Sequence, residues 1–175
     1  MMSVSRRDLL RWQFDLTWQL FEFHLDRLTP EDFLWEPAAH IWTVRPGFQP
    51  EAPWVPDWAE TELDPIPVPT IAWLTWHIGW WWSVTLDHAQ KRPPRAREAI
   101  GWPGDGPGSL RWLRDLRTEW LEVLARLTDA DLDGVAPFPW PNSEQTVAHM
   151  VAWVNAELMK NASEIGQLRL LRAAG

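Results

Sequence analysis

The apolar positions of this chain form four long stretches of helical periodicity, separated by segments rich in proline and glycine. Within each stretch, apolar residues recur three or four positions apart, which is the spacing of one helix face. A further apolar piece follows the fourth stretch, beyond a predicted bend near 161–163. The predicted helices cover residues 5–28, 70–89, 109–127 and 143–161.

A start signal precedes each predicted helix. Short hydroxyl side chains favour helix N-termini because their oxygen accepts a hydrogen bond from a backbone N–H of the first turn. The predicted capping residues are Ser5, Thr70, Ser109 and Ser143. The periodicity of the first helix predicts a buried stripe of Leu9, Trp12, Leu16, Leu20, Phe23 and Leu28.

The long proline-rich segment 35–69 separates the first two helices. We expect it to be irregular and to pack over one end of the helices, because its tryptophans make it too apolar for a disordered linker. Weak internal similarity relates the first helix pair to the second, and two helical hairpins are a natural way to build a four-helix bundle. The prediction is an all-α four-helix bundle, with one domain over residues 1–175.

Composition excludes several classes of function. A net charge of −8 argues against binding nucleic acid, which requires a basic face. The lack of cysteine excludes disulfides and thiolate ligands. The first residues form no signal-peptide apolar run, so we predict a cytoplasmic protein. Prolines interrupt the uncharged run 65–86 in its first third, so we predict no membrane span.

The stretch TIAWLTWHIGWWW, residues 70–82, places one histidine among five tryptophans. At roughly 100° per residue, His77 lies in the middle of an aromatic stripe formed by Trp73, Trp80 and Trp81. One interpretation is a core histidine whose nitrogens bond a carbonyl or a carboxylate. The other is a histidine that binds a ligand.

The fourth helix contributes polar residues near its apolar arc. Asn161 lies well inside the arc, and Glu157 lies at its edge one turn earlier. A buried amide must find hydrogen-bond partners. A carboxylate and an amide one turn apart, facing a histidine from another helix, can place three ligands around one ion.

Three pieces of sequence, taken with the order of the elements, resemble one family. They are Trp42-Thr-Val-Arg45, TIAWLTWHIGWWW, and AWVNAELMKNASEIGQLRLLR near the end. Together they resemble the DinB/YfiT-like four-helix metalloproteins, near the branch that includes the mycothiol-dependent maleylpyruvate isomerases. The resemblance covers nearly the whole chain.

The resemblance implies one divalent metal, zinc or nickel, held by a histidine of the second helix and two residues one turn apart on the last long helix. His77 and Glu157 match two of these ligands. Asn161 stands where the family usually has histidine, and a neutral amide is a weak zinc ligand. The resemblance also implies a homodimer and, for this branch, a low-molecular-weight thiol cofactor. The implied pocket is lined by Trp42, Trp73, Trp80, Trp81 and Trp153.

Two hypotheses for the function follow. The first is a metal-dependent enzyme, a hydrolase or a thiol-dependent transferase or isomerase, that acts on a small molecule in the tryptophan-lined pocket. The second is a non-catalytic member with a degenerate metal site, which binds a small apolar ligand or a protein partner. The replacement at Asn161 favours the second hypothesis, and the retained His77 and Glu157 favour the first.

Overall fold

The computed structural model describes residues 4–49, 52–61 and 63–175. In this part of the chain there are five α-helices: α1 (Arg6–Leu25), α2 (Ile71–Ala89), α3 (Gly106–Arg126), α4 (Asp129–Asp133) and α5 (Val147–Ala174). Four short strands lie between α1 and α2: β1 (Ile41–Trp42), β2 (Val44–Gln49), β3 (Ala52–Pro56) and β4 (Val68–Pro69). The all-α prediction is confirmed, since helices dominate the structure.

The four long helices form the bundle in two parallel pairs. Asn155 of α5 donates a hydrogen bond to the carbonyl of Leu10, and Gly166 lies against His24, so α1 and α5 run in the same direction. The N-termini of α2 and α3 both meet Phe33, through the Ala72 N–H and through Gly106. These two helices therefore run parallel to each other and opposite to α1 and α5.

The predicted starts are correct for two helices and wrong for two. Ser5 and Thr70 cap α1 and α2, where their hydroxyls accept the N–H groups of the third helical residues. The helix α3 begins earlier, because the Asp105 carboxylate accepts the Gly108 N–H and leaves Ser109 buried inside the first turn. The helix α5 begins later than Ser143, because a β-bridge between Val135 and Thr146 keeps the preceding residues extended.

The predicted buried face of α1 is wrong. Five of its six predicted residues are exposed by between 41% and 61%, while the opposite side of the helix enters the core. The sequence of α1 carries two apolar stripes, and the stripe with three aromatic rings, rather than the one with two, packs into the core. Of the six predicted positions, Leu28 alone is half-buried. The buried residues of α1 are Phe14, Thr17, Trp18, Phe21 and Leu25.

The last helix is continuous, and the predicted bend near 161–163 is absent. Residues 147–174 form one helix of 28 residues, about 42 Å long at 1.5 Å per residue. No proline interrupts it, and Gly166 is accommodated inside it because the His24 ring fills the adjacent space. One rigid element therefore reaches from one end of the bundle to the other.

The segment 35–69 is more regular than predicted, although residues 50, 51 and 62 lie outside the described part of the chain. Strands β2 and β3 form an antiparallel hairpin, and β1 pairs with β4 in parallel. The segment covers the N-terminus of α2, as predicted: Thr70 donates its backbone N–H to the Trp42 carbonyl and its hydroxyl to that of Thr43. These bonds place the indole of Trp42 over α2.

One cluster of buried side chains connects α1, α2, α3 and α5. The helix α2 lies at its centre, with fifteen buried residues that include Trp73, Trp76, Trp81 and Trp82. Its apolar character reflects this central position in the core. None of the helices in the described residues combines the length and hydrophobicity needed to cross a membrane.

Candidate functional site

The side of α2 that faces the proline-rich segment carries His77 between two indoles. The rings of Trp73 and His77 are stacked, with centroids 4.9 Å apart and planes inclined by 10°. The ring of Trp80 lies 5.7 Å from the imidazole at a tilted angle. Since these residues are three and four positions from His77, helical geometry brings them together, as the sequence predicted.

Three more tryptophans complete what we call the His77 cluster, defined as His77 with Trp42, Trp58, Trp73, Trp76 and Trp80. Trp42 stacks on Trp73 at 5.0 Å, and Trp58 meets Trp80 edge-on at 5.2 Å. Trp76 stacks on Trp80 at 5.7 Å. The proline-rich segment thus supplies two of the five indoles of the cluster, which pack on the three indoles next to the imidazole.

Backbone carbonyls fix the orientation of two of these indoles. The Trp73 Nε1–H donates to the Asp57 carbonyl at 2.8 Å, and the Trp76 Nε1–H donates to the Ile100 carbonyl at 2.6 Å. Buried indole N–H groups that find such partners leave the faces of their rings free for packing. The aromatic wall is therefore anchored from two different loops.

The structure places Trp81 and Trp153 in a separate group. Their rings meet edge-on at 5.4 Å between α2 and α5, and Trp153 also contacts Phe138 and Trp140. The five indoles predicted to line one pocket therefore divide in two, with Trp42, Trp73 and Trp80 beside His77 and the other two facing α5.

His77 is held in its neutral form. Burial, and to a smaller extent the positive charge of Lys160 on α5, together lower its pKa to about 4. The ring is half-buried, and its Nδ1 atom is fully enclosed without a hydrogen-bond partner. The predicted core histidine, bonded to a carbonyl or a carboxylate, is therefore not what the structure shows.

The predicted ligands on α5 are engaged with other groups. The carboxylate of Glu157 pairs with the Lys160 ammonium at 2.5 Å. Asn161 is 1% exposed, as its place in the apolar arc predicted. Its Oδ1 accepts the Trp81 Nε1–H at 3.3 Å, and its Nδ2 donates to Glu164 at 2.8 Å.

This donor set does not fit zinc or nickel as it is arranged. The neutral imidazole is competent as a ligand, but its enclosed Nδ1 faces no carboxylate partner. The lysine pairs with the only carboxylate of the predicted triad, and the amide oxygen already accepts an indole N–H. Among the described residues, no three His, Cys, Asp or Glu side chains cluster as a metal site would require.

Sequence reasoning missed three members of this region. Trp76 lies about 100° from His77 on a helical wheel, outside the predicted stripe, but its large ring reaches back to 6.5 Å from the imidazole. Trp58 lies in a loop, where no periodicity indicates a partner. Lys160 stands three residues after Glu157, a spacing at which ion pairs form on a helix, and that signal could have been used.

A cavity of about 400 Å³ lies next to Trp58, on the side of the β2–β3 hairpin. The guanidinium of Arg97 stands over the Trp58 ring at 4.3 Å and pairs with Glu60 and Glu98. The cation thus covers one face of the indole at the edge of the His77 cluster.

Comparison with known sequences assigns this bundle to a family. Residues 13–165 match the profile of the DinB superfamily. The chain belongs to the DinB superfamily. The matched region contains the whole His77 cluster together with Glu157 and Asn161, so the resemblance inferred from the sequence motifs is confirmed at this level. The branch near the maleylpyruvate isomerases stays a prediction.

No curated protein and no solved structure matches the chain significantly.

Proposed function

We propose that this DinB superfamily member is a ligand-binding protein that takes a small, planar, largely apolar molecule against the His77 cluster. The observation that carries the proposal is the Nδ1 of His77, an enclosed polar atom without a partner in an aromatic wall. Buried polar groups in native proteins are nearly always hydrogen-bonded, so an exception calls for an explanation.

Because Nδ1 is enclosed, a ligand would reach it by displacing an indole of the wall, and one hydrogen-bonding group on the ligand would then supply the missing partner. An unpaired buried nitrogen costs about 1–3 kcal/mol, which a partner on the ligand would recover. Because the imidazole is neutral at pH 7, one ring nitrogen donates and the other accepts, and no charge has to be neutralised. The faces of Trp73 and Trp80 would pack against a planar ring system.

The charges on α5 support ligand binding over metal chemistry. A divalent cation bound to His77 would lie close to the ammonium of Lys160, whose charge already acts on the imidazole. It would also have to displace that ammonium from Glu157. The repulsion by Lys160 and the loss of its ion pair with Glu157 both oppose cation binding. Neither effect acts on an uncharged ligand.

The second candidate is the metal-dependent hydrolase or thiol-dependent transferase. It is favoured by membership of the DinB superfamily, because the matched residues 13–165 contain His77 and Glu157, which the sequence resemblance predicts as ligands. For such an enzyme, the ion pair between Lys160 and Glu157 would have to break when the metal ion binds. A metal would supply Lewis-acid catalysis.

Calorimetric titration with quinoline and with naphthalene tests the proposal, since the two probes share a planar shape and only quinoline accepts a hydrogen bond. We expect quinoline to bind more tightly than naphthalene. His77→Phe keeps the aromatic wall but removes the imidazole, so quinoline should lose about tenfold in affinity, the value of roughly one hydrogen bond. The exposed His40 provides the control, and His40→Phe should change neither affinity.

Two results would count against the proposal. One is equal binding of quinoline by the protein and by His77→Phe. The other is a stoichiometric content of zinc or nickel in protein purified without a histidine tag, lost in His77→Phe, which would support the metal-dependent enzyme instead.

A further inference from the structure

A second cavity lies at the opposite end of α2 from its N-terminal turn, far along the helix from His77. It has a volume of about 550 Å³, within the usual range for small-molecule sites. The C-terminal ends of α2 and α3, the helix α4 and the first turn of α5 enclose it. Its apolar walls are formed by Val123, Leu127, Val135, Pro137, Val147 and Met150.

The rim of this cavity is positively charged, although the chain as a whole carries a net charge of −8. Lys91 and Arg92 lie at its edge, and Arg126 lines an adjoining cavity of about 430 Å³ that also contains Lys91. Asp131 is the acidic residue among the lining side chains. Cationic residues thus outnumber the carboxylate at this site, whereas acidic residues outnumber basic residues in the chain as a whole.

Two of these cations have room for a ligand, although the charge of Lys91 also acts on the nearby Asp131 carboxylate. Arg92 already pairs with Asp87 and Glu119. Among the described residues, neither Lys91 nor Arg126 forms an ion pair. The carboxylate of Asp131 is engaged by Thr128, which donates to it from both its backbone N–H and its hydroxyl.

The backbone at Lys91 adds an independent observation. This residue has a φ of 57°, the left-handed conformation that usually selects glycine or asparagine just after a helix. The Arg92 N–H bonds the Asp87 carbonyl across this turn, which closes the end of α2. The chain therefore keeps a long cationic side chain at a position where glycine is less strained, and strained residues of this kind concentrate at functional sites.

We propose that this cavity binds an amphipathic anion, a molecule with an apolar aliphatic body and one carboxylate group. The body lies against Val123, Leu127 and Met150, and the carboxylate meets Lys91 and Arg126. An apolar body alone would leave the two cations without partners, and a cationic ligand would be repelled by them. The site shares no residue with the His77 cluster.

Calorimetric titration with decanoate tests this proposal, with decanamide as the uncharged analogue and acetate as the anion without an apolar body. We expect decanoate to bind about tenfold more tightly than decanamide, and acetate to show no measurable binding. Lys91→Gln should lower the affinity for decanoate towards that of decanamide. Lys160→Gln is the matched control, because it removes the other lysine of the chain and should leave decanoate binding unchanged.

A second variant tests the cavity itself. Val135 lines the cavity and is 70% exposed, so Val135→Trp blocks the opening without disturbing the core. It should abolish binding of both decanoate and decanamide, while the far-ultraviolet circular dichroism stays that of the parent protein. The proposal is overturned if decanoate binds no better than decanamide, or if Lys91→Gln binds decanoate as tightly as the parent. Decanoate binding that His77→Phe abolishes would assign the ligand to the other site.

Discussion

At the scale of single residues, the chemistry of His77 is set by what surrounds it. Burial and the charge of Lys160 lower its pKa to about 4, whereas an unfolded chain has a histidine with a pKa of 6.5. Above pH 6.5 the imidazole is neutral in both states and contributes no pH dependence. Between these two values the unfolded state binds the proton more strongly, so acidification favours unfolding.

This difference predicts a contribution to stability that is lost on acidification. The free energy of unfolding of the parent protein should fall relative to that of His77→Gln as the pH decreases from 6.5 towards 4, because the variant has no proton to bind. Urea denaturation at several pH values measures the difference. His77→Phe should give the same profile as His77→Gln. Parallel pH profiles for the parent and both variants would contradict the lowered pKa.

The sequence predicts where polar residues lie better than it predicts their partners. The helical wheel placed Asn161 in the buried arc, and the structure confirms this. Its partners could not be predicted, because the choice of Trp81 and Glu164 over His77 depends on the rotation of α5 against α2. That rotation is set by the packing of many side chains together.

At the scale of the helices, the contact between α2 and α3 depends on the absence of a side chain. The ring of Trp112 on α3 lies directly on the backbone at Gly79, and a Cβ atom there would overlap it. The small residue allows the large one to approach the helix, so the two positions act as a pair.

Gly79→Ala should therefore destabilise the protein even though alanine favours helix formation by about 1 kcal/mol. Displacing the ring of Trp112 costs about 1–3 kcal/mol, as overpacking usually does, and we expect a net loss of about 1 kcal/mol in the free energy of unfolding. Chemical denaturation measures the effect. In the double variant Gly79→Ala with Trp112→Leu, the losses should be less than additive. Full additivity would show that the two residues do not interact.

Helices were predicted well where a local signal decides their extent. Ser5 and Thr70 are local caps, and they were identified correctly. The start of α5 depends on a bridge to Val135, and the inward face of α1 depends on which of two apolar stripes packs better. Both are decided by distant parts of the chain, so periodicity alone could not predict them.

At the scale of the whole molecule, the exposed stripe of α1 is a surface through which we expect two copies of the chain to associate. Its five residues follow one another at spacings of three and four, which is the pattern of a coiled-coil seam. They extend over about 21 Å of helix within an arc of roughly 80°. A seam of this kind matches another helix with the same spacing, and a second copy of α1 provides one. The stripe consists of Leu9, Trp12, Leu16, Leu20 and Phe23.

We therefore expect a homodimer in which the α1 helices meet. Leu16 is 41% exposed, so Leu16→Lys should leave the monomer folded and place a charge in the middle of the seam. Size-exclusion chromatography at two protein concentrations should show a dimer for the parent and a monomer for the variant. Ile66→Lys alters an equally apolar surface residue outside α1 and should remain dimeric. A parent protein that elutes as a monomer at both concentrations would refute the seam.

The packing of the indoles also determines the tryptophan fluorescence of this protein. Neighbouring indoles of the His77 cluster have centroids between 5.0 and 6.4 Å apart. At such separations, excitation absorbed by one indole migrates to the next before it is emitted. The near-ultraviolet emission of Trp42, Trp58, Trp73, Trp76 and Trp80 is therefore a shared property of the group. A bound molecule that quenches the fluorescence of one of these rings would also reduce the emission of its neighbours. The fluorescence change on ligand binding would therefore exceed that of a single tryptophan.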